Sequence, residues 1–312
     1  MHYEPLALRM RREGYRPEAG DFIVVPDSYR EFLGPVPGYV AAIDQDTIRD
    51  WYAGEKKRAP VQAARAVAMF SGFLSWCATR KEYRGLVNRD CARASELGDV
   101  LPAAKRRTDA IEIDQLPAWF GGTDKLRSRT AAAYFQGLVL TGARREELAG
   151  LRWADADIRW RKLTIADKVA ATRVIPLTPY LAWLLGSLPR KTGREASPFV
   201  FASTMSMSGR IAEPRAPHAD VLADAGIQHV SIHGLRRTFA LLGEAAGAPA
   251  GAIAQVMGRR PSAIAEGYKP RSIDALRPYL AQVEEFILNK AGIEFDAANA
   301  LPNGLRVVAS AA

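Results

Sequence analysis

The sequence predicts a mainly α-helical protein of two domains that carries one small antiparallel β-sheet. Three observations predict it. Apolar residues recur at three- and four-residue steps, as with Val67, Phe70, Phe73, Leu74 and Cys77, the spacing of helices that bury one face. Between Ile158 and Leu177 the period changes, and Trp160, Leu163, Ile165, Val169, Val174 and Ile175 alternate with polar residues as in short antiparallel strands. Residues 101–108 (Leu-Pro-Ala-Ala-Lys-Arg-Arg-Thr) are polar, basic and without period, the composition of an interdomain linker. A chain of 312 residues is long enough to build two cores.

Each element follows from local signals. Residues 1–40 are rich in Pro and Gly, with Gly34-Pro35-Val36-Pro37-Gly38 as a breaker, and are expected to form an irregular arm. Residues 41–100 are assigned to a helical domain, with the helical pattern running from Asp44 to Glu96. The second domain spans 109–290. It opens with helices over Ile113–Phe120 and Thr130–Leu140, breaks at Thr141-Gly142, and resumes as a helix from Arg144 to Leu151. The strands of 158–177 follow, and the chain turns helical again from about Pro217. Pro249 suits a helix start and Gly258 a helix stop. Ser272 can cap a last helix reaching Lys290. The tail from 291 to 312 is rich in small residues and is expected to be mobile at its end.

Composition narrows the function. With 48% hydrophobic and 25% charged residues the chain reads as a globular protein and not a disordered one. There are 43 Lys and Arg against 34 Asp and Glu, a net charge of +9 and a pI near 9.7, which points to a polyanionic partner, nucleic acid above all. Cys77 and Cys91 have no metal-ligand spacing, and the four histidines are scattered, so no metal site is expected. Both cysteines read as small buried hydrophobes in a reducing, cytoplasmic compartment. No apolar run approaches the roughly 20 residues a membrane span needs, and residues 1–12 lack the apolar core of a secretory signal. Basic clusters stand at Lys56-Lys57-Arg58, at Arg80-Lys81 with Arg84, and at Lys105-Arg106-Arg107. Such runs serve equally as solvated surface or as phosphate contacts.

Four strings carry chemistry. In TGARREELAGLRW (141–153), Arg144 and Glu147 are three apart on one helical face, with Leu148 and Leu151 on the buried side. Arg144 follows a Thr-Gly turn, so its guanidinium projects from a helix start, a place suited to an anion. In IHGLRRTFA (232–240), His233 and Arg236 repeat the spacing, with Ile232, Leu235 and Phe239 facing the core; Arg237 reads as a surface or phosphate-backbone residue. A histidine can move a proton near neutral pH, while an arginine stays charged. In DKVAATRVIPL (167–177), Lys168 falls where the strands turn. In MGRRPSAIAEGY (257–268), Arg259 precedes Tyr268 by nine residues, and a tyrosine beside cations can serve as a nucleophile. Taken one by one, each has a plainer reading: a surface ion pair, a structural histidine, a solvated lysine, a half-buried tyrosine ring.

Together, in this order and spacing, the four strings resemble the tyrosine recombinase family, in particular its phage- and plasmid-type integrases, over about residues 44–290. The resemblance implies a helical core-binding domain followed by a mixed α+β catalytic domain, the two clamping opposite sides of a DNA duplex. It makes Tyr268 the nucleophile, Arg144 and Arg236 the phosphate-clamping arginines, and Glu147 the supporting acid. His233, paired with Arg236 in the family's histidine–arginine motif, becomes the residue that assists proton transfer, and Lys168 the donor to the leaving 5′-oxygen. Double-stranded DNA is the implied substrate, four protomers the implied assembly on two sites, with the last helix or tail docking on a neighbour. Accessory DNA-bending proteins are compatible with it, and neither cofactor nor metal is called for. One position departs from the family, which usually has a histidine or tryptophan where this chain has Arg259. A guanidinium can donate to a phosphate oxygen but cannot act as a neutral acid–base group. Two other classes stay open: a catalytically impaired DNA-binding relative acting as regulator or accessory factor, which Arg259 favours, and a topoisomerase-like strand passer.

Overall fold

The computed structural model describes residues 43–297, apart from 82, 84–86, 94, 96, 98–106, 168–170, 191–192, 194–195 and 260–269. The chain divides into two compact units, Met1–Arg106 and Arg107–Ala312.

Among the described residues, the first unit is built on two helices, α1 (Gln45–Arg58) and α2 (Pro60–Thr79). Asp44 caps α1 by accepting from the Thr47 amide at 2.8 Å. Pro60 disfavours helical geometry at the residue before it, and Ala59, at φ −149° and ψ 73°, is the single-residue break between the helices. Ile48 and Tyr52 of α1 meet Ala63, Val67 and Leu74 of α2 in a small core with Cys91, Ala92 and Leu97. Both cysteines are buried. The helical pattern that the sequence suggested as far as Glu96 stops at Thr79. Arg80 turns extended, and the described residues beyond it form turns, where Asn88 accepts from the Asp90 amide at 3.1 Å and Cys91 donates to the Asn88 carbonyl.

The second unit is helical around one three-stranded antiparallel sheet. A 3₁₀ turn at Ile113–Gln115, closed by reciprocal bonds between Glu112 and Gln115, leads into α3 (Leu116–Asp124). Then come α4 (Arg129–Thr141) and the short α5 (Arg145–Ala149). Strands β1 (Ala156–Asp157), β2 (Lys162–Asp167) and β3 (Ala171–Pro176) pair in sequence order, with Leu163 opposite Ile175 and Ile165 opposite Arg173. Leu163, Ile165 and Ile175 enter the core, whereas Trp160 and Val174, read from sequence as part of the same apolar pattern, are exposed. Trp160 lies in the β1–β2 turn and Val174 on the outer face of the hairpin.

Among the described residues five helices complete the unit: α6 (Pro179–Gly186), α7 (Arg215–Asp224), α8 (Ile232–Ala245), α9 (Ala250–Val256) and α10 (Ile273–Ala291). Ser272 caps α10 by accepting from the Ala275 amide at 3.2 Å. The apolar face of α10 (Leu276, Leu280, Val283, Ile287) is buried in the chain's own core. Its buried Glu284 accepts from the Thr178 hydroxyl and from the Tyr180 and Leu181 amides at 2.9 and 3.1 Å, and so caps α6. The first residues of the C-terminal tail continue this packing, with Phe295 edge-on to Tyr180 at 5.1 Å between centroids.

One polar group in this core is held neutral. His218 on α7 is 2% exposed, lies 5.1 Å from the Phe135 ring centroid, and leaves its Nε2 unpartnered among the described residues. Burial, with repulsion from His229, pushes it down to about 4. A histidine whose folded pKa lies below its unfolded value of about 6.5 contributes full stability above that value, and the contribution falls away as pH drops from 6.5 towards 4. The stability difference between wild type and His218→Leu, measured by urea unfolding, should therefore move by about 3 kcal/mol against the wild type between pH 7.5 and pH 4.

Candidate active site: arginines around one buried carboxylate

Helix α4 ends at Gly142, whose φ of +59° makes the left-handed cap that turns the chain towards α5. A Cβ there would stand 2.3 Å from the Phe239 ring, so only glycine fits. Two residues later Arg144 is the N-cap of α5, and Glu147 reaches back to it. Glu147 is 9% exposed. One carboxylate oxygen faces the Arg144 guanidinium. The other accepts from the Arg144 amide at 2.9 Å and from Arg173 Nη2 at 2.8 Å. Burial pushes the Glu147 carboxyl up, but the hydrogen bonds from Arg173 and Arg144 outweigh it and hold the group below its ordinary range.

Arg236 comes from the first turns of α8 and is 2% exposed. Its Nη1 donates to the Gly142 carbonyl at 2.6 Å, across 94 positions of sequence. Burial first, then the charges of Arg144 and Arg259, push it down to about 10, still protonated at neutral pH. Arg259 follows the end of α9, with Gly258 at φ +66°. Its amide donates to the Ala254 carbonyl at 2.8 Å, and its side chain is exposed. His233, one turn before Arg236, is exposed. Local desolvation and the charges of Arg237, Arg236 and Arg259 lower it, against an opposing pull from Asp109.

Thus Arg144, Glu147, His233, Arg236 and Arg259 converge. Lys168 and Tyr268 lie outside the described residues, as do Lys105 and Arg106. Lys56, Lys57 and Arg58 occupy the exposed last turn of α1 in the other unit, with Arg58 paired to Glu55 at 2.7 Å, and Arg107 is exposed. Among the described residues no group of three His, Cys, Asp or Glu side chains could hold a metal ion.

Arg237, read from sequence as a surface or phosphate-backbone residue, is engaged within the chain. It pairs with the Asp109 carboxylate and donates through Nε to the Asp109 carbonyl at 2.8 Å. Asp109 in turn accepts from the Ser231 amide and hydroxyl at 2.8 and 2.7 Å, while Ser231 caps α8. The segment at 109 is thereby bound to the helix start that carries His233 and Arg236. Its close approach requires Gly234, where a Cβ would meet Val230 Cγ1 at 2.6 Å and two Asp109 oxygens within 2.9 Å. The other residues that sequence reasoning missed are Arg173 and Gln255. The Gln255 amide donates to the Arg271 carbonyl at 2.8 Å and accepts from its N–H at 2.9 Å, joining the two ends of the segment that contains Tyr268. No spacing signal marks either residue.

Residues 36–99 match the phage integrase core-binding domain and residues 107–271 the phage integrase family. A helical core-binding unit followed by a mixed α+β unit is the two-domain arrangement of one class of proteins, and the chain belongs to it: the phage integrase family of tyrosine recombinases. It is similar to prophage integrase IntF of Escherichia coli (strain K12), 39% identical over 258 residues, 81% of this chain and 55% of that protein. The chain thus spans about half the length of this relative. It is also similar to tyrosine recombinase XerC of Mycobacterium sp. (strain JLS), 26% identical over 80% of this chain and 89% of that one. The fold is like that of a lambda integrase (75–356) dimer solved on a COC′ core site, with a TM-score of 0.56 at 15% identity, covering 79% and 88% of the two chains.

Gly234→Ala should cost about 2 kcal/mol in chemical denaturation, the range for forcing an extra carbon into a packed contact, and should loosen Asp109. An unchanged midpoint would mean that the segment at 109 can move aside without loss.

Proposed function

We propose that the chain is a site-specific DNA recombinase that cuts and rejoins strands through a 3′-phosphotyrosyl intermediate. The observation that carries this reading is the charge balance of the cluster. Three guanidiniums, Arg144, Arg236 and Arg259, converge where Glu147 is the carboxylate, and that carboxylate is already engaged by Arg144 and by Arg173. Arg236 is buried and donates to a backbone carbonyl, that of Gly142. A buried cation so placed is costly until an anion arrives, and a tetrahedral phosphate presents the oxygens that arginine forks match.

In the proposed reaction the Tyr268 phenolic oxygen attacks the scissile phosphorus. A P–O bond to tyrosine forms as the P–O5′ bond breaks, the phenolic proton leaves through His233, and Lys168 protonates the departing 5′-oxygen. Arg144, Arg236 and Arg259 offset the charge that builds on the non-bridging oxygens. A 5′-hydroxyl of a partner strand then reverses the step. One phosphodiester is exchanged for another, so the chemistry calls for neither ATP nor a metal. The partner is double-stranded DNA, with a homotetramer acting on two sites and accessory bending proteins admissible. The basic ends of α1 and of the 101–108 segment are assigned to phosphate contacts in the same reading.

The test offers nicked suicide duplexes, tiled from genomic DNA flanking the gene, to wild type and to Tyr268→Phe. A protein–DNA adduct that survives denaturant in wild type and vanishes in the variant is the expected result. Specific binding without adduct would instead support the DNA-binding regulator that Arg259 favours, and Arg259→His would be the rescue to try. Relaxation of supercoiled plasmid without a required sequence would point to a topoisomerase-like activity. The pH profile gives a second expectation. Because its surroundings depress His233, its neutral form persists below the ordinary value of about 6.5, so the acid limb of kcat/KM for adduct formation should lie below pH 6.5.

A further inference from the structure

The steps above leave one buried charge without a role. Arg173 lies on β3, which begins three residues after Lys168, and its side chain is 9% exposed. Its fork is divided between two other elements. Nη2 donates to Glu147 at 2.8 Å, on the helix that Arg144 caps. Nε donates to the carbonyl of Val256 at 2.9 Å, the last residue of α9, directly before Met257, Gly258 and Arg259. The contacts cross 26 and 83 positions of sequence. A single planar group therefore joins the hairpin, the Arg144 helix and the turn that presents Arg259 and leads towards Tyr268.

We propose that Arg173 is a positioning residue of the recombination reaction, holding Glu147 and the end of α9 in register so that Arg144 and Arg259 meet the same phosphate; this rests on the recombinase reading above. Glu147 has two oxygens and serves two arginines. With Arg173 on one oxygen, Arg144 engages the other and still points outward, its side chain 36% exposed. Without Arg173 the carboxylate is left to Arg144 alone, which is drawn inward, away from a bound phosphate. The Val256 carbonyl loses its donor at the same time, so the Arg259 turn loses its tie to the sheet. A lysine would restore the charge but not the fork, because an ammonium is a point charge on a flexible stem.

The test compares wild type, Arg173→Lys and Arg173→Gln in two independent measurements. In single-turnover adduct formation on the nicked duplexes, both variants should slow cleavage about 100-fold, the loss expected from a displacement near 1 Å, while affinity for the same DNA by mobility shift stays within about threefold. Arg173→Gln should also acquire a new acid limb. Burial raises the Glu147 carboxyl once the Arg173 hydrogen bond is gone, leaving Arg144, with Arg236 nearby, as the charges facing it; Arg173→Lys should keep the wild-type profile. The second measurement, hydrogen exchange on the free proteins, needs no DNA: amides of 145–148 and of 257–259 should exchange faster together in Arg173→Gln, with α10 unchanged. Wild-type cleavage rates in both variants, loosening spread over the whole unit, or a response in only one of the two segments would overturn the proposal. If wild type itself forms no adduct, the recombinase reading fails, and the exchange comparison still decides whether Arg173 ties the two segments.

Discussion

The Glu147 carboxylate is the constraint on which the site depends. It lies at the third position of α5, where it accepts from the amide that opens the helix, and a carboxylate near a helix start is favoured by the unpaired N–H groups there. The same group draws Arg144 and Arg173 to it from two different elements. Taking a carboxylate out of water costs several kcal/mol, and three donors offset that cost well enough for the group to stay ionised. Glu147 already serves Arg144 and Arg173, so its charge offsets that of Arg236 only in part, and the cluster is left with an excess of positive charge. The same interaction that holds α5 in place therefore also creates the demand for an anion.

A second constraint is close approach. Helix α8 buries Leu235, Phe239 and Leu242, yet three glycines decide how near its neighbours come. Gly142 lies against the Phe239 ring, Gly234 against Asp109, and Gly243 against Ile253, where a Cβ would stand 2.5 Å from Cδ1. Each removes a side chain where helix α8 meets α4, the segment at 109 or α9. Arg236 reaches the Gly142 carbonyl only because the Gly142–Phe239 contact lets α8 and the end of α4 touch. The strings TGARREE and IHGLRR thus carry packing instructions as well as chemical groups.

The elements with strong local signals were legible in the sequence: the Gly142 break, the Ser272 cap, the hairpin of 162–176, and the arginines and histidine at helical spacing. What escaped was long-range or lacked a period. The pattern after Thr79 retained apolar residues but had no cap to mark the helix end, so the helix was read too long. Arg237 looked like surface because its partner, Asp109, is 128 positions away. Arg173 and Gln255 were missed for the same reason: their partners are set by tertiary docking, and a lone arginine on a strand or glutamine on a helix has no local feature that predicts a buried backbone acceptor. The alternation that marks the hairpin does not tell which face meets the core, and Val174 lies on the outer one; Trp160 lies in the turn before β2, outside the alternating pattern.

Arg259 changes the electrostatics of the site more than its hydrogen bonding. A histidine or tryptophan, usual in the family at this position, offers one donor and no fixed charge. A guanidinium offers several donors and a permanent charge, and that charge presses on both Arg236 and His233. Two consequences follow. The cluster is under greater self-repulsion, so in the proposed reaction a bound phosphate would relieve more. His233 is also held more firmly in its neutral form, the form that can accept a proton from a phenol. In the proposed reaction, an arginine at this position gives up a neutral donor but favours both phosphate binding and a proton-accepting His233. Under that proposal Arg259 is compatible with strand cleavage, provided its turn is held in place, and Arg173 donates to the last helical carbonyl before it.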